Sequence, residues 1–207
     1  LPNDFLRNNL NINGTNSWKT SAGSNSGNSS LTNCIFYNST KVTLMAHTVA
    51  NTYTRDVDVY QFRVNSDETG STRLVCVVAH LKAGTGSSNE GNRKIMAENV
   101  MKHLSANYPG ENVLIMGDFN LYTSTELAYR ALTNSTSYPY AYFVDPVYPY
   151  GVGSWSNNGN FVNYHTQSTH KDDDGCASGG GMDDRFDFIL MSESIYGGPE
   201  HIKYINS

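Results

Sequence analysis

Two short apolar runs of this chain end in polar side chains that are able to carry chemistry. Residues 74–79 read LVCVVA and precede His80, and residues 113–116 read VLIM and precede Gly117 and Asp118. An almost wholly apolar run such as 74–79 predicts a central strand buried on both faces, and 113–116 predicts a second buried strand. The sheet that these runs imply is the main constraint on the fold.

The rest of the pattern alternates strands and helices. Residues 89–107 carry an apolar stripe on one helical face and end at Pro109-Gly110, which predicts a helix. A second helix is predicted over 124–132, with Thr123 and Glu126 at capping-box spacing. Further strands are predicted over residues 34–37, 42–49, 57–64, 142–144, 186–191 and 202–205. This order favours a mixed α/β sandwich in one domain spanning 1–207.

Composition narrows the options further. Hydrophobic residues make up 38% of the 207 residues, which is enough for a core. Residues 8–33 are rich in Asn, Ser, Gly and Thr and predict a flexible polar loop. The net charge of −5 provides no global field that would attract nucleic acid, and the longest apolar run is too short to cross a bilayer. Scarce lysine and abundant Asn, Ser and Thr favour a secreted or periplasmic protein. The acidic run 172–175 is interpreted as a solvated loop.

Asp118 and Asn120 form the sharpest candidate site. A buried strand delivers a carboxylate and an amide two residues apart, and both point to the same side if the strand direction persists. Such a pair is able to orient a water molecule and to hold a phosphate oxygen or a hard metal ion. The alternative is a turn in which the Asp and Asn side chains make local hydrogen bonds.

His80 and Asp187 are the second and third candidates. His80 ends one apolar strand as Asp118 ends another, and functional groups of α/β sheets gather at the carboxyl ends of strands. Asp187 lies inside an apolar strand, where an unpaired buried carboxylate would be costly. It therefore needs a histidine, a metal ion or Arg185 as partner, unless it faces solvent at an edge.

Three segments together resemble the endonuclease/exonuclease/phosphatase superfamily. They are AHLKA (79–83), IMGDFN (115–120) and DRFDFIL (184–190), in the family's order and at strand ends. Exported bacterial members are also similar in Asn89-Glu90, in YHTQS (164–168) and in DDR (183–185). The resemblance covers roughly residues 34–207 and implies a DNase I-like four-layer α/β/β/α sandwich.

The resemblance also implies roles for individual residues. Asp118 would orient the attacking water, and Asn120 would bind the phosphate or, with Asp118, the metal ion. His80 would contact the scissile phosphate or act as a general acid. Asp187 would orient a second, catalytic histidine.

Arg55 and His165 are the implied substrate contacts. The implied cofactor is Mg²⁺, with Mn²⁺ or Ca²⁺ as alternatives, and the implied partner is a phosphate-ester substrate. DNA, RNA, phospholipid headgroups and inositol phosphates are all used within the superfamily, and this sequence does not single out nucleic acid. Nothing in the sequence indicates an oligomeric state.

The chain also departs from the family pattern. That pattern starts with a strand carrying Asn and a strand ending in a metal-binding Glu, and it ends with Ser-Asp-His; no segment here matches these. We therefore expect a fragment that is incomplete at both ends and has little hydrolytic activity by itself. The alternative is a binding module that keeps the fold without a complete active site.

Overall fold

A computed structural model describes residues 2–26, 29, 31–134, 136–139, 141–171, 179–198 and 202–205. Within these ranges the strands are β1 (Trp18–Ala22), β2 (Cys34–Asn38), β3 (Val42–Asn51), β4 (Val57–Val64), β5 (Arg73–His80), β6 (Val113–Asp118), β7 (Phe143–Val144) and β8 (Asp187–Ser192). The α-helices are α1 (Pro2–Phe5), α2 (Ser87–Asn107), α3 (Leu127–Thr133) and α4 (Glu193–Tyr196), with a π-helical turn at Leu6–Leu10 and a 3₁₀ helix at Gly159–Tyr164.

Six of these strands form one mixed sheet in the order β3-β4-β5-β6-β8-β7. The two apolar runs become the neighbouring strands β5 and β6, which are parallel, and α2 connects them. The other neighbours in the sheet pair antiparallel. The parallel pair places the carboxyl ends of β5 and β6 at the same edge of the sheet.

One face of the large sheet packs against the helices. Alternate residues of β5 and β6, such as Val75 and Ile115, are buried in one hydrophobic cluster with the apolar stripe of α2, which includes Met96 and Val100. Full burial of each such side chain contributes about 1.5–3 kcal/mol to stability. This cluster holds both strands, and therefore their carboxyl ends, in a fixed position.

The opposite face packs against a second, two-stranded sheet of β1 and β2. Tyr60 and Phe62 are buried there, with Ile35 and Tyr37 of β2 packed against them. The ring of Phe5 in α1 lies 5.1 Å from that of Phe36 on β2. Helices, large sheet, small sheet and α1 therefore follow one another as layers, which confirms the α/β sandwich class.

The second sheet covers only part of that face among the described residues. On β8, Phe188 and Leu190 are buried against the helices, whereas Ile189 between them is 58% exposed. Central strands were predicted to be buried on both faces. Here Val78 and Met116, on the face away from the helices, are only partly buried.

The prediction of a long loop over 8–33 was wrong for Trp18–Ala22, which pairs with Cys34–Asn38 along its whole length. The polar residues that follow this strand are also held in place. Asp58, fully buried on β4, accepts hydrogen bonds from the Ser24 N–H at 2.8 Å and the Asn33 amide at 3.0 Å. A buried carboxylate needs such donors, and the Ser- and Asn-rich segment supplies them.

Smaller differences concern element ends. The helix predicted over 124–132 is α3, which begins at Leu127. Glu126 is its N-cap, so the predicted capping box does not form. Residues 202–205 were predicted as a strand but are irregular. The acidic run 172–175 lies outside the described residues. In the described part of the chain, no helix combines the length and apolarity needed to cross a membrane.

Candidate active site

His80, Asp118 and Asp187 lie side by side across three neighbouring strands. In the sheet register His80 is the partner of Asp118, and Asp118 is the partner of Asp187. Residues directly opposite each other in neighbouring strands point to the same face. The structure thus brings three predicted site residues into one row, which we call the edge row. The Nε2 atom of His80 lies 3.5 Å from Oδ2 of Asp118.

Gly117 allows the two strands to approach each other immediately before this row. A Cβ atom at position 117 would lie 2.0 Å from the backbone oxygen of Ala79, closer than any real contact permits. The backbone φ of +131° is also one that side-chain-bearing residues rarely adopt. The glycine in the GDFN segment therefore sets the distance between β5 and β6 where the edge row begins.

Asn120 follows a sharp change of direction. Its φ is +49°, and its N–H donates to Oδ1 of Asp118 at 2.9 Å, so the strand does not continue past Asp118. The local turn considered in the sequence is thus present. The side-chain amide of Asn120, which is buried, donates to the carbonyl oxygen of Leu81 at 3.2 Å. This bond ties the Asn120 amide to the residue that follows His80.

Arg55 reaches the same place from the segment just before β4. Its Nη1 donates to the carbonyl oxygen of Leu81 at 2.8 Å, the same atom that accepts from Asn120. Its charge also acts on Asp118 and on His80. The edge row therefore has a guanidinium beside it, and a phosphate group is a natural ligand for such a cation.

Burial and neighbouring charges shift the pKa of each member of the row. Burial raises the pKa of Asp118, against hydrogen bonds from Asn120 and the charge of Arg55. Partial desolvation and then the charge of Asp118 raise the pKa of Asp187, although this side chain reaches solvent. Desolvation followed by the charge of Arg55 lowers the pKa of His80, so these surroundings favour the neutral ring.

Asp187 faces solvent, which is the alternative that the sequence left open to burial within the strand. It is the first residue of β8 and is exposed, because the face on which it lies is uncovered at this strand. Thr166 holds its backbone: the Thr166 hydroxyl accepts from the N–H groups of Phe186 at 3.1 Å and Asp187 at 2.9 Å. Sequence reasoning missed this role, although Thr166 lies in the YHTQS segment.

His165 lies beside Thr166 but does not join the edge row. It is buried, and its two ring nitrogens face the carbonyl oxygens of Met182 and Trp155. These contacts connect the loop after the 3₁₀ helix to the segment that leads into β8. The predicted contact of His165 with substrate stays a prediction.

The side chains at the edge row offer the type of oxygen atom that binds a hard divalent cation. Asp118 and Asp187 are carboxylates, Asn120 adds an amide oxygen, and Mg²⁺ and Ca²⁺ prefer oxygen ligands. In the part of the chain that the structure describes, however, no three His, Cys, Asp or Glu residues form a metal-holding group. The described residues thus fit part of a metal site.

The sequence matches no protein-family model and no curated protein. Solved structures do match the fold. Humanized D. rerio TDP2 has a TM-score of 0.56 and 16% identity, over 91% of this chain and 64% of that one. The human Nocturnin catalytic domain has a TM-score of 0.55 and 13% identity, over 86% of this chain and 62% of that domain. An endonuclease/exonuclease/phosphatase from Bacteroides vulgatus has a TM-score of 0.54 and 11% identity, over 86% of this chain and 66% of that protein.

The chain has the DNase I-like fold. The fold that the resemblance of the three sequence segments implies is therefore confirmed, and the fold is what identities of this size show. The chain spans 62–66% of the length of these three structures. Among the described residues, the layers of this fold position the edge row.

Proposed function

We propose that this chain is part of a hydrolase that cleaves phosphate esters with a water nucleophile at the edge row. The observation that carries the proposal is the register of His80, Asp118 and Asp187 across β5, β6 and β8. This row places a histidine and two carboxylates next to one another, with the charge of Arg55 beside them. The names of the similar structures, which include an endonuclease/exonuclease/phosphatase, agree with this chemistry.

Four residues of this chain would each take a separate part in the reaction. Arg55 is a permanent cation and would attract the phosphate group. The surroundings of His80 lower the pKa of its ring and favour the neutral form, which would donate a ring N–H to a phosphate oxygen; this supports the contact role over the general-acid role. Asp118 would accept a hydrogen bond from the attacking water and so orient it. Asn120, held by Leu81 and Asp118, would keep this carboxylate in place.

A divalent cation completes the proposal, with Asp118 and Asn120 as its ligands in this chain. Mg²⁺ is the first candidate, and Mn²⁺ and Ca²⁺ accept similar oxygen ligands. When bound, the ion would neutralise charge that develops on the phosphate oxygens. Asp187 would hold and orient a second histidine outside the described residues, since His80 is already next to Asp118.

Two substrate classes and one alternative function follow. One similar structure is TDP2 in complex with a single-strand DNA product, so a nucleic acid is the first substrate to test. A small phosphate diester is the second, because the net charge of −5 gives no general attraction for DNA. The exposed Asp187 and the incomplete metal group favour the alternative, a phosphate-binding module without catalysis.

The test uses the full-length protein that contains these residues. Hydrolysis of a single-stranded oligonucleotide and of bis(p-nitrophenyl) phosphate is measured with Mg²⁺, Mn²⁺ or Ca²⁺ and with EDTA. We expect metal-dependent cleavage that Asp118→Asn lowers by about 10³-fold or more, since loss of one member of a catalytic unit costs this much. Glu68→Gln, an equal charge change in an exposed turn, is the control. Binding of the oligonucleotide without cleavage under any metal would support the binding module instead.

A further inference from the structure

A buried ion pair lies directly behind the loops of the candidate site. Arg93 of α2 has no exposed surface, and its Nε and Nη2 atoms are each 2.8 Å from Oε2 of Glu126. Glu126 is also buried, at the N-cap of α3. Neither charge lies at the surface, so the pair cannot serve solubility or bind an external partner.

The remaining nitrogen of Arg93 binds the loop that follows His80. Nη1 donates to the carbonyl oxygen of Lys82 at 2.9 Å and to that of Gly84 at 2.8 Å. Since His80 is the last residue of β5, these two bonds fix the backbone two and four residues after it. The guanidinium fork provides several donors in one rigid plane, which a single ammonium group cannot do.

The second oxygen of Glu126 binds the loop that follows Asn120. Oε1 accepts a hydrogen bond from the N–H of Tyr122 at 2.8 Å. The ring of Tyr122 also lies under the Arg93 guanidinium, 5.5 Å from ring centre to charge. The ion pair therefore joins the loop after His80 to the loop after Asn120.

We propose that Arg93 and Glu126 are positioning residues that hold His80 and Asp118–Asn120 at their working separation. This inference rests on the proposed function for its catalytic part. Buried ion pairs contribute little net stability, because desolvation of both charges offsets their attraction. An apolar pair would fill the same space, but it could not bind the Lys82 and Gly84 carbonyls and the Tyr122 N–H at once. The contacts of this pair thus serve the geometry of two loops.

Arg93→Lys and Glu126→Gln are the informative variants. Lysine keeps the charge but lacks the fork, and glutamine keeps the shape but lacks the charge; if one variant does not fold, the other carries the test. Ser192→Ala is the matched control. It removes a buried hydrogen bond to the Val113 N–H, at the end of the sheet opposite to the edge row.

The first measurement uses the chain itself and needs no activity. NMR spectra would follow the ring signals of His80 and amide exchange of residues 81–84 and 118–122. We expect both positioning variants to move the His80 ring signals and to speed amide exchange in these two loops by about tenfold or more. We expect Ser192→Ala to change neither. Unchanged amide exchange and unchanged His80 ring signals in a folded Arg93 or Glu126 variant would overturn the proposal.

The second measurement uses the full-length protein. Arg93→Lys should lower kcat by about 10- to 100-fold with little change in KM, as expected when reacting groups shift by a fraction of an ångström to about 1 Å. A kcat equal to that of Ser192→Ala would contradict a positioning role. Absence of any hydrolysis in the wild-type protein would refute the proposed function alone, and the NMR result would still decide the structural part of the inference.

Discussion

Asp118 and Asp187 are register partners in the antiparallel pair of β6 and β8, so two carboxylates share one edge of the sheet. Each raises the cost of ionising its neighbour, and the charge of Asp118 is the second cause of the raised pKa of Asp187. Among the residues described, His80 and the Thr166 hydroxyl offset this only in part. The pair therefore lowers the stability of the chain when both carboxylates are ionised.

Asp187→Asn should stabilise the chain at pH 7. The substitution removes one of the two like charges and keeps the shape of the side chain. Because Asp187 is exposed, solvent screens the effect, and we expect about 0.3–1 kcal/mol, or a rise in Tm of about 1–3 °C. Thermal melts against wild type measure it, with Glu68→Gln as a control for net charge.

The pH dependence of the stability gained by Asp187→Asn follows from the raised pKa of Asp187. The folded chain holds the Asp187 proton more tightly than the unfolded chain, so wild-type stability falls as pH rises above the ordinary value of 3.8. The advantage of Asn should thus be full above the raised folded pKa and should disappear below pH 3.8. An advantage that persists in acid would show that charge is not its cause.

His80 should titrate below 6.5 in the folded chain, because desolvation and then Arg55 lower its pKa. The folded state then favours the neutral ring, so this group lowers stability as pH falls below 6.5. We expect Arg55→Gln to raise the His80 pKa and Asp187→Asn to lower it further, as followed by NMR of the ring. Arg130→Gln, an exposed change on α3, is the control; equal effects of the two arginine variants would contradict this account.

Much of the candidate site was predictable from the sequence. A run of apolar residues that ends abruptly in His80 or in Gly117-Asp118 indicates where a buried strand meets solvent. Two such strands that run parallel place their ends together, which is the arrangement observed. Local pattern was sufficient here because the relevant residues are strand ends, and strand ends are encoded locally.

Other features depend on partners far away in the chain. The strand Trp18–Ala22 lies in a polar segment without alternation and forms only because β2 pairs with it. Glu126 has capping-box spacing, but Arg93, 33 residues away, binds its carboxylate instead. The exposure of Asp187 depends on what covers its face of the sheet, which the strand sequence itself does not encode.

His165→Ala should destabilise the chain, because the ring lies between the carbonyl oxygens of Met182 and Trp155 and at least one of them loses its hydrogen-bond donor. Each buried group left unsatisfied costs about 1–3 kcal/mol. His165→Gln, which keeps one donor, should recover part of the loss in thermal melts. In the full-length protein we expect KM to be unchanged. A raised KM at unchanged Tm would instead support the substrate contact predicted for His165.

Gly117→Ala should be among the most damaging single substitutions in the chain. The added Cβ would lie 2.0 Å from the Ala79 oxygen, which is backbone and has no rotamer to change, so β5 and β6 must separate. The φ of +131° adds strain for any residue with a side chain. Strain of about 1–3 kcal/mol and a similar cost for displaced packing together predict a loss of about 2–6 kcal/mol.

Gly181→Ala separates these two contributions. Gly181 has nearly the same φ as Gly117, +129°, but an added Cβ there meets only the Asp183 side chain, at an ordinary contact distance of 3.5 Å. It should therefore show the backbone cost alone, about 1–3 kcal/mol. Urea unfolding of both variants measures the difference, and the excess at position 117 reports the contact between the strands. Equal losses at the two positions would mean that β5 and β6 separate easily before the edge row, and the fixed distance between His80 and Asp118 would then need another cause.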